Sequence, residues 1–220
     1  WSEGRGRWDI LDVVRMTRAL RPDGINWPFS PEGKPSNKLE LLAELNKLEH
    51  DHAHDALSDV FATIEVARLI QQKNQKLFEY LYKIRNKKEV DNLVSSGKPF
   101  VYSSGRYESK YNYTTTAVVV GQHPTKQGAY LVYDLRYDPN NYSDKTVDEL
   151  EQLLNNQFSE DAERFPVKIM HNNKCPAVAP LVVMTDRNWK DLSLEKAQIE
   201  NNFLNLVSDE NLKIKLIEVF

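Results

Sequence analysis

The stretch HAHDALSDV, residues 52–60, places an imidazole, His54, five residues ahead of a carboxylate, Asp59. These residue types can cut a phosphodiester. Such hydrolysis needs charge neutralised at phosphorus and a water made nucleophilic. Two divalent ions about 3.5–4 Å apart, held by carboxylates, do both. Mg2+ suits this because it keeps few protein carboxylates and several waters or phosphate oxygens. A histidine beside the attacking water can take its proton, since its pKa lies near neutral. Inside one α-helix, however, five residues turn through about 500°, so the two side chains would diverge by about 140°. They converge only if His54 precedes the helix, with Asp55 as N-cap and Ala56 as the first helical residue. The same residues also fit an ordinary capped helix start, and spacing alone leaves both readings open.

The elements around this stretch follow from periodicity. WDILDVVRMTRAL, residues 8–20, reads as a helix with one buried stripe and with Arg15 and Arg18 on its polar side. Residues 21–37, RPDGINWPFSPEGKPSN, hold four prolines and two glycines and read as a surface loop. Asn37 with Glu40 fits a capping box opening a second helix, KLELLAELNKL. A third helix starts at Ala56, with Val60, Ile64, Ala67 and Ile70 as its stripe. QQKN loosens the pattern near Gln72, and one further helix, KLFEYLYKIRNKKEVDNLV, runs to about Val94.

The character then changes to Val, Tyr and Thr. Tyr111, Tyr113, Thr115 and Ala117 alternate as in a half-buried strand, HPTKQG turns, and AYLVYDL returns. Thr146 and Glu149 make another capping box, FPVKIM reads as one more strand, and residues 192–220 are helical again. The fold class expected is α+β: helices over residues 1–73, then a small β-barrel-like domain with inserted and terminal helices over 74–220.

Composition excludes several classes. Of 220 residues, 40% are apolar and 28% charged, ordinary for a globular chain. The net charge of −3 gives no overall positive field, so nucleic-acid binding would need a local basic face. The single cysteine, Cys175, rules out an internal disulfide and suits a reducing cytoplasm. It reads as a small packed residue, since no acyl-transfer constellation accompanies it. No apolar run is long enough to span a bilayer. The polar start WSEGRGRW, without methionine or an apolar segment, reads as the interior of a longer chain.

HAHDALSDVFATIEVARLI, RWDILDVVRMTRALRPDGINWP, PSNKLELL, KLFEYLYKIRNKK and PVKIMHNNKCPAVAP together resemble bacterial exonuclease I, in the same order almost end to end. That resemblance implies an RNase H-like exonuclease domain, here its C-terminal helical part, followed by an SH3-like domain. It implies a DEDDh nuclease: four acidic residues and a histidine, two Mg2+ ions, and 3′→5′ release of nucleotides from single-stranded DNA. On it, His54 matches the histidine that activates water and Asp59 the last of the four acidic ligands. The family's Asp-x-Glu strand and second aspartate do not appear ahead of residue 54. Asp161-Ala162-Glu163, the one such pattern, lies downstream in a polar stretch and reads as solvated surface. One carboxylate and one histidine cannot hold two ions, so this chain alone is expected to be inactive. Its first three helices, parted from a central sheet, are expected to dock on the barrel or pair with a second copy.

A single strand is usually held by a basic groove with aromatic platforms. Trp1, Trp8, Arg15 and Arg21 have that composition, although Trp8 reads better as core. The resemblance puts Trp1 and Arg15 near the DNA path. Lys38 falls where the family has an arginine, keeping the charge but losing the bidentate fork. Lys87, Lys168 and Lys174 would contact phosphate from the SH3-like part. The tyrosines of ESKYNYTT read as strand wall, with stacking as the lesser alternative. The resemblance also implies capture of the acidic tail of single-stranded DNA-binding protein. Arg21, Tyr80 and Lys98 match positions expected there, while Thr185 stands where the family has another arginine. The alternative for the whole chain is a non-catalytic module that binds single-stranded DNA or a peptide tail.

Overall fold

The computed structural model describes residues 8–48, 56–156 and 164–220. His54, Trp1, the Asp55 cap and the Asp161–Glu163 pattern lie outside the described residues. Five helices come first: α1 (Ile10–Leu20), α2 (Leu39–Leu45), α3 (Ala56–Lys73), α4 (Gln75–Ile84) and α5 (Lys87–Val94). The β-rich part holds β1 (Phe100–Ser103), β2 (Thr114–Gln122), β3 (Ala129–Asp134), α6 (Asn140–Ser143), α7 (Val147–Asn156), β4 (Val167–His171) and β5 (Ala177–Pro180). It closes with α8 (Asp186–Asp191), α9 (Lys196–Ser208) and α10 (Glu210–Glu218).

The strands form one antiparallel sheet in the order β4-β3-β2-β1-β5. Val101 faces Thr116 on one side and Ala179 on the other, and Val132 pairs with both Val119 and Lys168. The half-buried alternation expected over Tyr111, Tyr113, Thr115 and Ala117 is not what forms. β1, β3 and the first half of β2 are buried at every position, so both sheet faces are covered. Helix α1 lies against β1, β2 and β5, and α10 against β2. A bulge between Val119 and Gly121 serves the second contact: a Cβ at Gly121 would come within 2.6 Å of Ile217 on α10. Tyr111 and Tyr113 precede the strand. Tyr111 ends a 3-10 turn over Ser109–Tyr111, and β2 begins at Thr114.

Local chemistry explains the other departures. Asn86 accepts a hydrogen bond from Lys88 N at 2.9 Å and caps a new helix, which divides the expected long helix into α4 and α5. The Asn37–Glu40 box does not form. Lys38 occupies the N-cap of α2 without a side-chain cap, because Asn37 turns its amide oxygen toward Arg18 instead. The Thr146–Glu149 box does form, with Thr146 N donating to Glu149 Oε2 at 2.7 Å. In α3 the buried line is Ala62, Val66 and Ile70, while Leu57, Val60, Phe61 and Ile64 are exposed. The apolar residues there encircle the helix, and packing on α2 and α4 selects the smaller-residue side. So α1 docks on the sheet as expected, and α3 leaves one apolar face uncovered.

Trp8 packs edge-on to Phe78 and Tyr82, at 5.1 and 5.3 Å between ring centroids, as its core reading requires. One hydrophobic core runs from Val13 and Leu42 through Leu131 to Leu216. Replacing the fully buried Leu131 by alanine is expected to lower unfolding free energy by about 2–5 kcal/mol, read from urea denaturation.

Candidate nucleic-acid groove

Helix α1 carries two arginines, and both are held. Arg18 is buried rather than on a polar side. Its guanidinium lies over the Trp27 and Phe29 rings, 5.6 and 4.7 Å from their centroids, and Nη1 donates to Ser36 O at 2.6 Å. Burial lowers its pKa to about 10. These contacts draw residues 27–36 back across α1 and bring Lys38 alongside.

Arg15 lies one turn earlier. It pairs with Asp12 at 2.5 Å and lies 5.0 Å from the centroid of Tyr113. Desolvation raises the Asp12 pKa, opposed by its hydrogen bond to Arg15. Gly105 makes room for this guanidinium, since a Cβ there would sit 2.9 Å from Arg15 Nη2. Asn112 and Tyr113 both have left-handed backbones, φ 50° and 57°. Asparagine tolerates this conformation, but for tyrosine it costs about 1–2 kcal/mol. The strain is held by Tyr113 N donating to Glu108 O at 3.1 Å and Ser104 N donating to Tyr113 O at 2.9 Å.

Arg15, Lys38 and Tyr113 line one groove of about 700 Å³, walled by Leu11, Val14 and Leu42 and by Thr63 and Val66 of α3. Two buried donors at its edge, Arg15 Nε and Asn37 Nδ2, have no acceptor among the described residues. Asp59 is half-buried in the first turn of α3, one turn before Thr63, whose hydroxyl donates to Asp59 O at 2.7 Å. Residues four apart share a helix face, so the Asp59 backbone stands about 6 Å along the axis from a groove-lining position. Among the described residues no group of three His, Cys, Asp or Glu side chains could hold a metal ion. Two bound Mg2+ ions do not fit the described residues alone.

The remaining expected contacts separate into distinct places. Lys87 opens α5 and Lys174 ends the 3-10 turn over Asn172–Lys174; both are exposed on neighbouring elements joined by Asn172 Nδ2 donating to Asp91 at 2.6 Å. Lys168 on β4 is half-buried and lines a cavity of about 40 Å³ with Asp134, Arg136 and Tyr107. Burial lowers its pKa to about 8, with Asp134 opposing that fall. Asp134 itself is raised by burial and accepts from Thr115 Oγ1 at 2.5 Å.

Arg21 ends α1, donating to Leu20 O, to Val183 O at 2.9 Å and to Asn188 Oδ1 at 3.2 Å. Thr185 caps α8 and donates to that same oxygen at 3.0 Å, so the two positions meet on Asn188. Sequence gives no sign of Asn188, since an asparagine inside a short helix carries no signal of its own. Tyr80 lines a separate cavity of about 290 Å³ with Lys83 and Glu89, and burial raises its pKa to about 12. Neither Arg21 nor the exposed Lys98 lines that cavity. Cys175 is half-buried, its Sγ 3.7 Å from Arg85 O, and burial raises its pKa. No described helix is long and apolar enough to cross a membrane.

Residues 85–220 match the family model described as exonuclease I SH3-like domain. Exodeoxyribonuclease I of Haemophilus influenzae is 38% identical over 226 residues, covering 100% of this chain and 48% of the relative. Escherichia coli exonuclease I in complex with a dT13 oligonucleotide superposes with a TM-score of 0.93 at 34% identity, covering 100% of this chain and 48% of that one. An ExoI/SSB-Ct complex gives 0.92 at 33% identity, again over 100% and 48%. The chain spans about half the length of the curated relatives it matches.

A lysine with a pKa below 10.5 leaves the folded chain with fewer bound protons than the unfolded one between about pH 8 and 10.5, so its contribution to stability rises with pH across that window. Lys168 is expected to titrate near pH 8 by carbon-detected NMR, and Asp134→Asn to lower that value further.

Proposed function

Because the chain belongs to the exonuclease I family, we propose that it holds single-stranded DNA for 3′→5′ hydrolysis as part of an exodeoxyribonuclease I. The observation that carries this is the convergence of Arg15 and Lys38 on one groove, with Asp59 one helical turn from its wall. Both cations sit where a phosphate backbone can pass, and two buried donors there lack acceptors among the described residues. The solved relative bound to dT13 supports a single strand as occupant.

In this reading Asp59 supplies one carboxylate of a Mg2+ set and His54 takes the proton of the attacking water. The chemistry proposed for the described residues is binding and positioning. Lys87 and Lys174, on adjacent elements, extend the phosphate path. The resemblance adds Trp1 near the DNA path and Lys168 as a further phosphate contact. Arg21, with Tyr80 and Lys98, serves the acidic tail of single-stranded DNA-binding protein, supported by the relative solved with SSB-Ct. Thr185 gives that surface one cation fewer than the family pattern. A reducing cytoplasm suits the lone Cys175.

A second reading is a binding module without hydrolysis, which the convergence of Arg15 and Lys38 on one groove would serve equally well. Two measurements separate them. Arg15→Gln and Lys38→Gln are each expected to weaken oligonucleotide binding and to reduce the slope of log K against log salt by about 0.7. In the full-length enzyme, His54→Ala and Asp59→Asn are expected to abolish nucleotide release while leaving binding within about threefold. Undiminished release in both would leave only the binding module.

A further inference from the structure

Among the described residues lining the groove, Tyr113 is the single aromatic. Its backbone is left-handed, a conformation that asparagine or glycine adopts at far lower cost, yet a tyrosine stands there. Two backbone hydrogen bonds hold it so, and the ring lies beside Arg15 at the groove edge, half-buried. Unfavourable backbone held by its surroundings marks positions where the side chain's direction matters.

A strand in this groove presents two chemistries, phosphate and base. Arg15 and Lys38 answer the first. Among the described groove residues Tyr113 alone answers the second, because a flat ring beside a cation is how proteins seat an unpaired base without reading its identity. We infer that Tyr113 is a base-stacking residue: one nucleobase lies on its ring while Arg15 and Asn37 donate to the adjoining phosphate. This rests on the single-stranded-DNA reading of the groove. It adds a fixed register to that reading, since one base in the strand is singled out by position. Gly105 belongs to the same device, because a Cβ there would come within 2.9 Å of the Arg15 guanidinium and displace it.

The test uses oligothymidylates carrying 2-aminopurine, or an abasic residue, at successive positions. With the unsubstituted protein, emission at one position is expected to be quenched. An abasic residue at that position alone is expected to weaken binding about tenfold. Tyr113→Phe keeps the quenching. Tyr113→Asn, which tolerates the backbone, loses it and weakens binding about tenfold with an unchanged salt slope. Equal binding for every abasic position, or quenching that survives Tyr113→Asn, overturns the stacking assignment even where Arg15→Gln and Lys38→Gln weaken binding. If no oligonucleotide binds, or those two variants bind as the unsubstituted protein does, the groove reading itself fails and the stacking assignment with it.

Discussion

A guanidinium removed from water has to be supplied with acceptors and a favourable surface, and Arg18 imposes that demand on everything around α1. Its helix is pressed against the sheet on one side and against α3 and α4 on another. The proline-rich loop therefore folds over it, offering Ser36 O as acceptor and Trp27 and Phe29 as ring faces. That loop carries the start of α2 with it. The groove wall, the placement of Lys38 and the approach of α2 to α3 all follow from accommodating one buried cation. Arg15, one turn away, has the same kind of charge but an open edge, and so can face a ligand.

Much of the architecture was legible because periodicity and turn chemistry agree. The helices from Ile10 and Ala56, the HPTKQG turn and the Thr146 cap all appear where those rules put them. What failed did so through tertiary contacts. The stripe chosen for α3 named Val60 and Ile64, yet Ala62 and Val66 are inside, because close neighbours admit the smaller side chain. Arg18 looked solvated because charge is normally outside, and only the ring faces contributed by a distant loop reverse that. Asn37 looked like a cap because nothing local reveals that its oxygen serves Arg18.

The candidate site was legible in its residue types and less so in its assembly. Arg15 and Lys38 are 23 positions apart, and no local pattern joins them; the shared groove does. Tyr113 read as strand wall because ESKYNYTT alternates, and the left-handed pair at Asn112 and Tyr113 ends that alternation before the strand starts. Arg21 and Thr185 share no local pattern, and the acceptor on Asn188 that joins them lies more than 160 residues from Arg21.

Helix α3 has two unlike sides. Thr63 and Val66 line the groove, one turn beyond Asp59; toward water it turns Leu57, Val60, Phe61 and Ile64. An isolated helix end frays unless something packs against it. Whatever body seats on the greasy flank would still the opening turn, and the acidic group on the other flank would be aimed by a surface it never meets.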